Sequence, residues 1–177
     1  FTFNNGKDDY NFHYNRLDLY DVSTKEDYKP GMNGWQGNKA KHMSSITKDA
    51  WNARPNKSQP WFGQIQIDGG KAKSKFVRKG EKLNDNEVPL PPYYPGVASF
   101  QNAWTVHYNA NRGADANIED ILNQLEADNE LENTIIFFFS DHGSNTSYRH
   151  KQFCYEGGML VPLIIKGDNI RFKKGQV

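Results

Sequence analysis

The sequence has 177 residues, 22 Lys and Arg against 21 Asp and Glu, five His and a single Cys, and is 36% hydrophobic and 14% aromatic. That length suits one ordinary domain with a real core, and a net charge of +1 gives no global argument for a nucleic-acid or anionic-membrane partner. One cysteine excludes an intrachain disulfide and a cysteine-based zinc knuckle, no apolar run approaches the roughly 20 residues of a membrane span, and no signal-peptide pattern opens the chain.

From Asn4 to about Trp51 apolar runs are few, and Tyr10, Phe12, Tyr14, Tyr20, Tyr28 and Trp35 are scattered among Asp, Asn, Lys and Gly. Without periodicity this stretch predicts long functional loops, its aromatics arguing against disorder. A short helix near Lys39–Lys48 is the one element expected there. Trp61 to Ile67 is rich in β-formers and predicts a strand, ended by Gly69-Gly70. Lys71 to Pro95 predicts a loop, basic at first and closed by Pro89-Leu90-Pro91-Pro92-Tyr93-Tyr94-Pro95, whose prolines forbid helix and central strand.

Ile118, Ile121, Leu122 and Leu125 fall at i, i+3, i+4 and i+7, one apolar stripe of a helix. The segment from Ser99 to Asn111 reads as the same helix or a preceding one, with Gly113 weakening continuity. Thr134 to Phe139 is an apolar run too short for a helix and suited to a strand buried on both faces, as in a parallel sheet covered by helices. Met159 to Ile165 is a second such run. Helix, buried strand, loop and buried strand predict α/β layering.

Ser140-Asp141-His142-Gly143 follows the first of these runs directly. Ligands in open α/β sheets bind beyond the carboxyl ends of strands, and an Asp and a His placed there can both donate to one divalent cation. Carboxylate oxygen suits calcium or magnesium, and imidazole widens the choice toward zinc or manganese. The plain alternative is a helix-capping Asp beside a surface His. Arg149, His150 and Lys151 follow within ten residues, and Gly157-Gly158 permits a tight turn into the last strand. Cations beside a metal would make an anion-binding pocket for sulfate or phosphate; alone they would be a solvated basic loop. Lys7 after Gly6 and Lys71 after Gly69-Gly70 are weaker signals of the same class. Cys154, flanked by Phe153 and Tyr155 and with no base specified, reads as a buried structural thiol rather than a nucleophile. Asn145-Thr146-Ser147 matches a glycosylation acceptor, a frequent chance match.

The landmarks Leu125-Glu126, Glu132-Asn133-Thr134, the apolar run to Phe139, Ser140-Asp141-His142-Gly143, Lys151, Tyr155-Glu156-Gly157-Gly158 and Val161-Pro162 stand in one order over about 40 residues. Together they resemble the sulfatase family of the alkaline phosphatase superfamily, whose pattern is a helix ending in "LE..G..eNT", an apolar strand, "SDHG" or "SDNG", then "K…YEGG…VP". More loosely, Gly6-Lys7-Asp8-Asp9 is similar to the family's "GKxH", Pro60-Trp61-Phe62 to its "kPFF" strand, and Pro91-Pro92-Tyr93-Tyr94-Pro95 to the "LPPyyPd" of bacterial members acting on sulfated glycans.

The resemblance implies an alkaline-phosphatase-like α/β sandwich with a central, mostly parallel sheet flanked by helices, of which residues 1–177 would be the central part of one catalytic domain. It implies Asp141 and His142 as ligands of a catalytic divalent ion, usually calcium. Lys151 would hold the substrate sulfate and Lys7 would contact the nucleophile or sulfate. The family's His after that lysine is Asp9 here, and the His expected after the "PFF" strand is replaced by Asp68-Gly69-Gly70-Lys71, so leaving-group contact would pass to Lys71 or His13, with His150 as a further substrate contact. No Ser or Cys stands in the C/S-x-P/A-x-R pattern from which the family makes its formylglycine. Nucleophile and remaining metal ligands are therefore expected upstream of Phe1, and the stretch alone is expected to be inactive. The implied reaction is hydrolysis of a sulfate ester or sulfamate on a glycan or small molecule. The rival readings are a phosphate or phosphonate monoester hydrolase of the same superfamily and a non-catalytic carbohydrate-binding relative. A periplasmic or secreted location is suggested by resemblance alone, and oligomeric state is not legible.

Overall fold

The structure is a computed structural model and describes residues 1–4, 12, 14, 16–23, 50–67, 77–78, 80–145, 147–167 and 175. The chain divides into two compact units, Phe1–Ile67 and Asp68–Val177. Lys7, His13, Lys71 and the helix expected at Lys39–Lys48 lie outside the described residues.

The first unit is built on a three-stranded parallel sheet in the order β2-β1-β3, with β1 at Thr2–Asn4, β2 at Val22–Ser23 and β3 at Phe62–Gln64. A short helix α1, Arg16–Leu19, precedes β2. Phe3 pairs with Val22 on one side and Gly63 on the other. The segment expected as loops from Asn4 to Trp51 thus contributes a strand, β2, and a helix, α1, each too short to show a period. The strand expected over Trp61–Ile67 is confined to β3. Three rings form the core: Phe3 and Trp51 are fully buried, Trp61 stacks on Trp51 with centroids 5.6 Å apart, and Phe3 stacks on Trp61 at 5.7 Å. Trp51 is delivered by a 3-10 turn at Ala50–Ala53.

The second unit is organised by one long helix, α2, Ala98–Ala127. It runs through Gly113 without a break. Thr105, Asn109, Ala110, Gly113, Ala116 and Leu125 are its buried residues, so Gly113 lies on the packed side of the helix. Asn109 clamps the preceding loop: its Oδ1 accepts the Leu83 N–H at 2.8 Å and its Nδ2 donates to the Leu83 carbonyl at 3.0 Å. Gln101 Nε2 donates to the Asp85 and Val88 carbonyls and holds the 3-10 turn Asp85–Glu87 against the helix. The helix stops at Asn129, whose φ is +58°. There the Glu130 N–H reaches the Leu125 carbonyl and the Asn129 N–H the Glu126 carbonyl, a Schellman closure with Asn in the left-handed position.

Beyond it, β4 (Ile136–Phe139) pairs with β5 (Leu163–Lys166). The pairing is antiparallel, Phe137 opposite Ile165 and Phe139 opposite Leu163, which corrects the expected parallel arrangement. A parallel return needs a crossover, usually a full helix. Here the connection is spent on the Asp141–Lys151 loop and a four-residue helix α3, Glu156–Met159, so the chain doubles back. Met159 therefore belongs to α3, not to the strand. Nor are these strands covered on both faces within the described residues: Phe137 and Phe139 are 59% and 63% exposed. The chain is α/β, with a small parallel sheet in one unit and an antiparallel pair in the other.

Candidate active site

The site begins where β4 ends. Ser140 Oγ donates to the His142 carbonyl at 2.6 Å, folding the chain back on itself immediately after the strand. The Asp141 side chain is 83% exposed and the His142 side chain 22%. A helix-capping role for Asp141 is ruled out, because no helix starts at this turn.

His142 Nδ1 lies 2.6 Å from the Gly143 carbonyl. A carbonyl only accepts, so Nδ1 is the donor here, and Nε2 is the ring nitrogen left to face a ligand. Nε2 stands 3.5 Å from Asp141 Oδ1. Two ligand atoms about 2.0–2.6 Å from one ion and roughly at right angles are about 3–3.7 Å apart. The donor pair therefore fits a shared divalent cation, with one hard oxygen and one borderline nitrogen. Among the described residues no group of three or more His, Cys, Asp or Glu comes together that could hold a metal ion, so the pair is at most part of a coordination shell.

The basic loop folds back onto this turn. The Lys151 N–H donates to the Ser144 carbonyl at 3.1 Å, two residues past His142. Arg149 and Gln152 take φ of +59° and +70° and bracket His150-Lys151 with left-handed backbone, a conformation that costs energy for such residues and collects at functional loops. The glycines explain how close the layers come. A side chain at Gly143 would collide with the Gly157 carbonyl, and one at Gly157 would lie 2.6 Å from His150 Nε2. The His150 ring is thus wedged between the Asp141–Gly143 turn and the start of α3. On its other side Trp104 of α2 meets it edge-on, centroids 6.5 Å apart. Burial, and then the nearby His107, push the His150 imidazole below its usual range, which suits a packing role in this wedge better than a standing cation. The other basic residues of the loop are Arg149 and Lys151, and the Arg149 guanidinium lies 4.9 Å over the Tyr155 ring.

Asp141, His142, His150 and Lys151 are therefore brought together on one loop system, whereas Lys7 and Lys71 lie outside the described residues. Cys154 is exposed, which corrects the expectation of a buried thiol: its neighbours Phe153 and Tyr155 are themselves exposed and form no pocket around it. Sequence reasoning missed the aromatic residues behind the site, Tyr94, Phe100 and Trp104. Their only signal was the concentration of rings on either side of the helix start.

The family model described as Sulfatase matches residues 2–174. The chain is 38% identical over 85 residues to an ulvan-active sulfatase of Formosa agariphila, an alignment covering 48% of this chain and 14% of that protein. It is 42% identical over 67 residues to arylsulfatase K of Gallus gallus, covering 36% and 12%. With the N-acetylglucosamine-6-sulfatase of Capra hircus it shares 32% over 89 residues, covering 48% and 16%. In each case the match spans less than a fifth of the relative's length. No solved structure matches.

Proposed function

The chain belongs to the sulfatase family, and from that premise we propose that the full-length protein hydrolyses a sulfate ester or sulfamate, with the Asp141–His142 turn and Lys151 as this chain's share of the active site. The observation that supports the proposal is the return of the basic loop: the Lys151 backbone N–H bonds to the Ser144 carbonyl, which brings the residue's backbone back to the turn that carries Asp141 and His142. Relatives named for ulvan and for N-acetylglucosamine 6-sulfate support a saccharide as the carrier of the sulfate.

In this reading Asp141 Oδ1 and His142 Nε2 hold a divalent ion, calcium by family resemblance. When bound, that ion supplies positive charge to polarise the sulfate oxygens. Ser140 and the Gly143 carbonyl fix the turn and the His142 tautomer. Lys151 offers a compact positive charge to the same oxygens, and such charge-assisted contacts are stronger than neutral ones. As negative charge grows in the transition state, a lysine already held in place stabilises it without reorganisation. Lys7 and Lys71 remain anion contacts on resemblance alone. The nucleophile, a formylglycine in this family, is assigned to no residue of these 177.

The test is Lys151→Ala in the full-length protein. kcat/KM on a sulfate ester should fall about a hundredfold, about 2.7 kcal/mol of transition-state stabilisation. The thermal midpoint should barely move, since the Lys151 backbone bond survives the substitution. Near-normal turnover would remove Lys151 from the site.

A further inference from the structure

The loop that carries Lys151 also carries an exposed ring. Tyr148, three residues earlier, is 67% exposed. It rests on Tyr94 and Phe100, with centroids 6.0 and 5.9 Å away, and its backbone N–H donates to Tyr94 Oη. Tyr94 is buried and meets Phe100 and Trp104 edge-on at 5.4 and 5.5 Å. Trp104 then meets His150, the ring wedged against the metal-type turn. A second exposed ring, Tyr93, 72% exposed, sits 5.2 Å from Tyr94. Two exposed tyrosines thus share one buried aromatic base, and that base continues to the candidate active site.

The chemistry of the patch is specific. Rings presented to water on a packed aromatic base are flat apolar surfaces with a polar tip, able to stack on an apolar ligand face and hydrogen-bond at its edge. Arg149 lies next in sequence to Tyr148, and Lys151 two residues beyond. Flat rings beside cations complement a molecule with an apolar face and anionic groups. A pyranose has such a face in its axial C–H bonds, and a sulfated one adds the charge.

We propose that Tyr93 and Tyr148 form a stacking subsite for a pyranose ring of a sulfated glycan, next to the sulfate held at Lys151. The proposal rests on the sulfate-ester reading above and deepens it by assigning the sugar to a surface. An aromatic contact to one face of a ligand ring should account for about tenfold in affinity, so each tyrosine is expected to contribute a factor of that order.

The test uses the full-length protein and its Tyr148→Ala, Tyr93→Ala and Tyr148→Phe variants. Binding of tetrasaccharides from a sulfated galactan, a sulfated glycosaminoglycan and a sulfated rhamnan is measured by calorimetry. Turnover of the best binder is compared with that of a ring-free short alkyl sulfate. Each Ala variant should weaken tetrasaccharide binding about tenfold and lower, by a similar factor, the ratio of kcat/KM for tetrasaccharide to that for alkyl sulfate. Tyr148→Phe should keep both. If the Ala variants bind and discriminate like the parent, or the parent binds none of the three, the subsite is overturned. If binding falls as expected but no sulfate is released by the parent, the subsite stands and the hydrolase reading fails.

Discussion

Gly63 shows how a single residue shapes the first core. A methyl group there would overlap the Phe3 ring, with Cε2 only 2.7 Å away and two further ring atoms closer still. Phe3 has no room to yield, because Trp51 and Trp61 close it in. Gly63→Ala should therefore destabilise the first unit by about 1–3 kcal/mol, the usual cost of overpacking, read as a lower denaturant midpoint with unchanged slope. An unchanged midpoint would mean that the three-ring core is looser than described. A second residue-scale prediction concerns pH. The Thr2 N–H and hydroxyl both donate to Asp21 Oδ2, at 2.7 and 3.1 Å, and hold that carboxyl below its ordinary value of 3.8. A carboxylate lowered by folding contributes stability that is complete above its unfolded pKa, about 3.9, and is lost as pH falls through the lower folded value. Asp21→Asn should lower stability at neutral pH, where the ionised carboxylate contributes in full, flatten the acid limb below about pH 4, and converge with the parent at lower pH. Neither effect is readable in the sequence: Gly63 looks like an ordinary strand glycine, and Thr2 and Asp21 are nineteen residues apart.

At the scale of elements, the long helix and the last two strands were legible and the short ones were not. The stripe from Ile118 to Leu125 announces a helix because its period repeats, and Phe137–Phe139 announces a strand because its apolar run is too short for anything else. A strand of two or three residues, such as β1 or β2, has no period to read. Pairing direction is equally invisible, since β4 and β5 would have the same composition in a parallel or an antiparallel ladder; only the course of the loop between them decides. Gly113 was expected to weaken α2 by its propensity, a cost of about 1 kcal/mol. Tertiary contacts override it. Asn109, one turn earlier, makes both of its bonds to Leu83 while buried. Asn109→Ala leaves the Leu83 N–H and carbonyl without those partners and should cost the second unit about 1–3 kcal/mol. Asn109→Asp should rescue only the bond from the Leu83 N–H, because a carboxylate cannot donate to the carbonyl. If Asn109→Ala unfolds at the parental midpoint, the clamp contributes nothing and Gly113 is tolerated for another reason.

For the molecule as a whole, the legible part of the site is the part written contiguously. Asp141, His142, His150 and Lys151 lie within eleven residues, and Gly143, Gly157 and Gly158 mark where the chain must come close. The aromatic base was hidden because Tyr94 and Tyr148 meet across 54 positions of sequence. What the turn does is decided by its two donors. His142 Nε2 and Asp141 Oδ1 face each other at 3.5 Å. A cation between them would draw both donors to itself, so metal binding and the shape of the turn should be coupled. The full-length protein is expected to carry a divalent ion measurable by elemental analysis, and Asp141→Ala and His142→Ala should each lower its content. Removing the ion with a chelator should lower the thermal midpoint, and restoring it at about a hundred times its dissociation constant should return about 2.7 kcal/mol. In either variant the chelator should change the midpoint much less, because the ion is already largely absent. A mutation that merely loosened the loop would lower the midpoint but leave the metal content and the chelator response intact. Unchanged metal content in both variants would take Asp141 and His142 out of the coordination shell and return them to an ordinary polar turn.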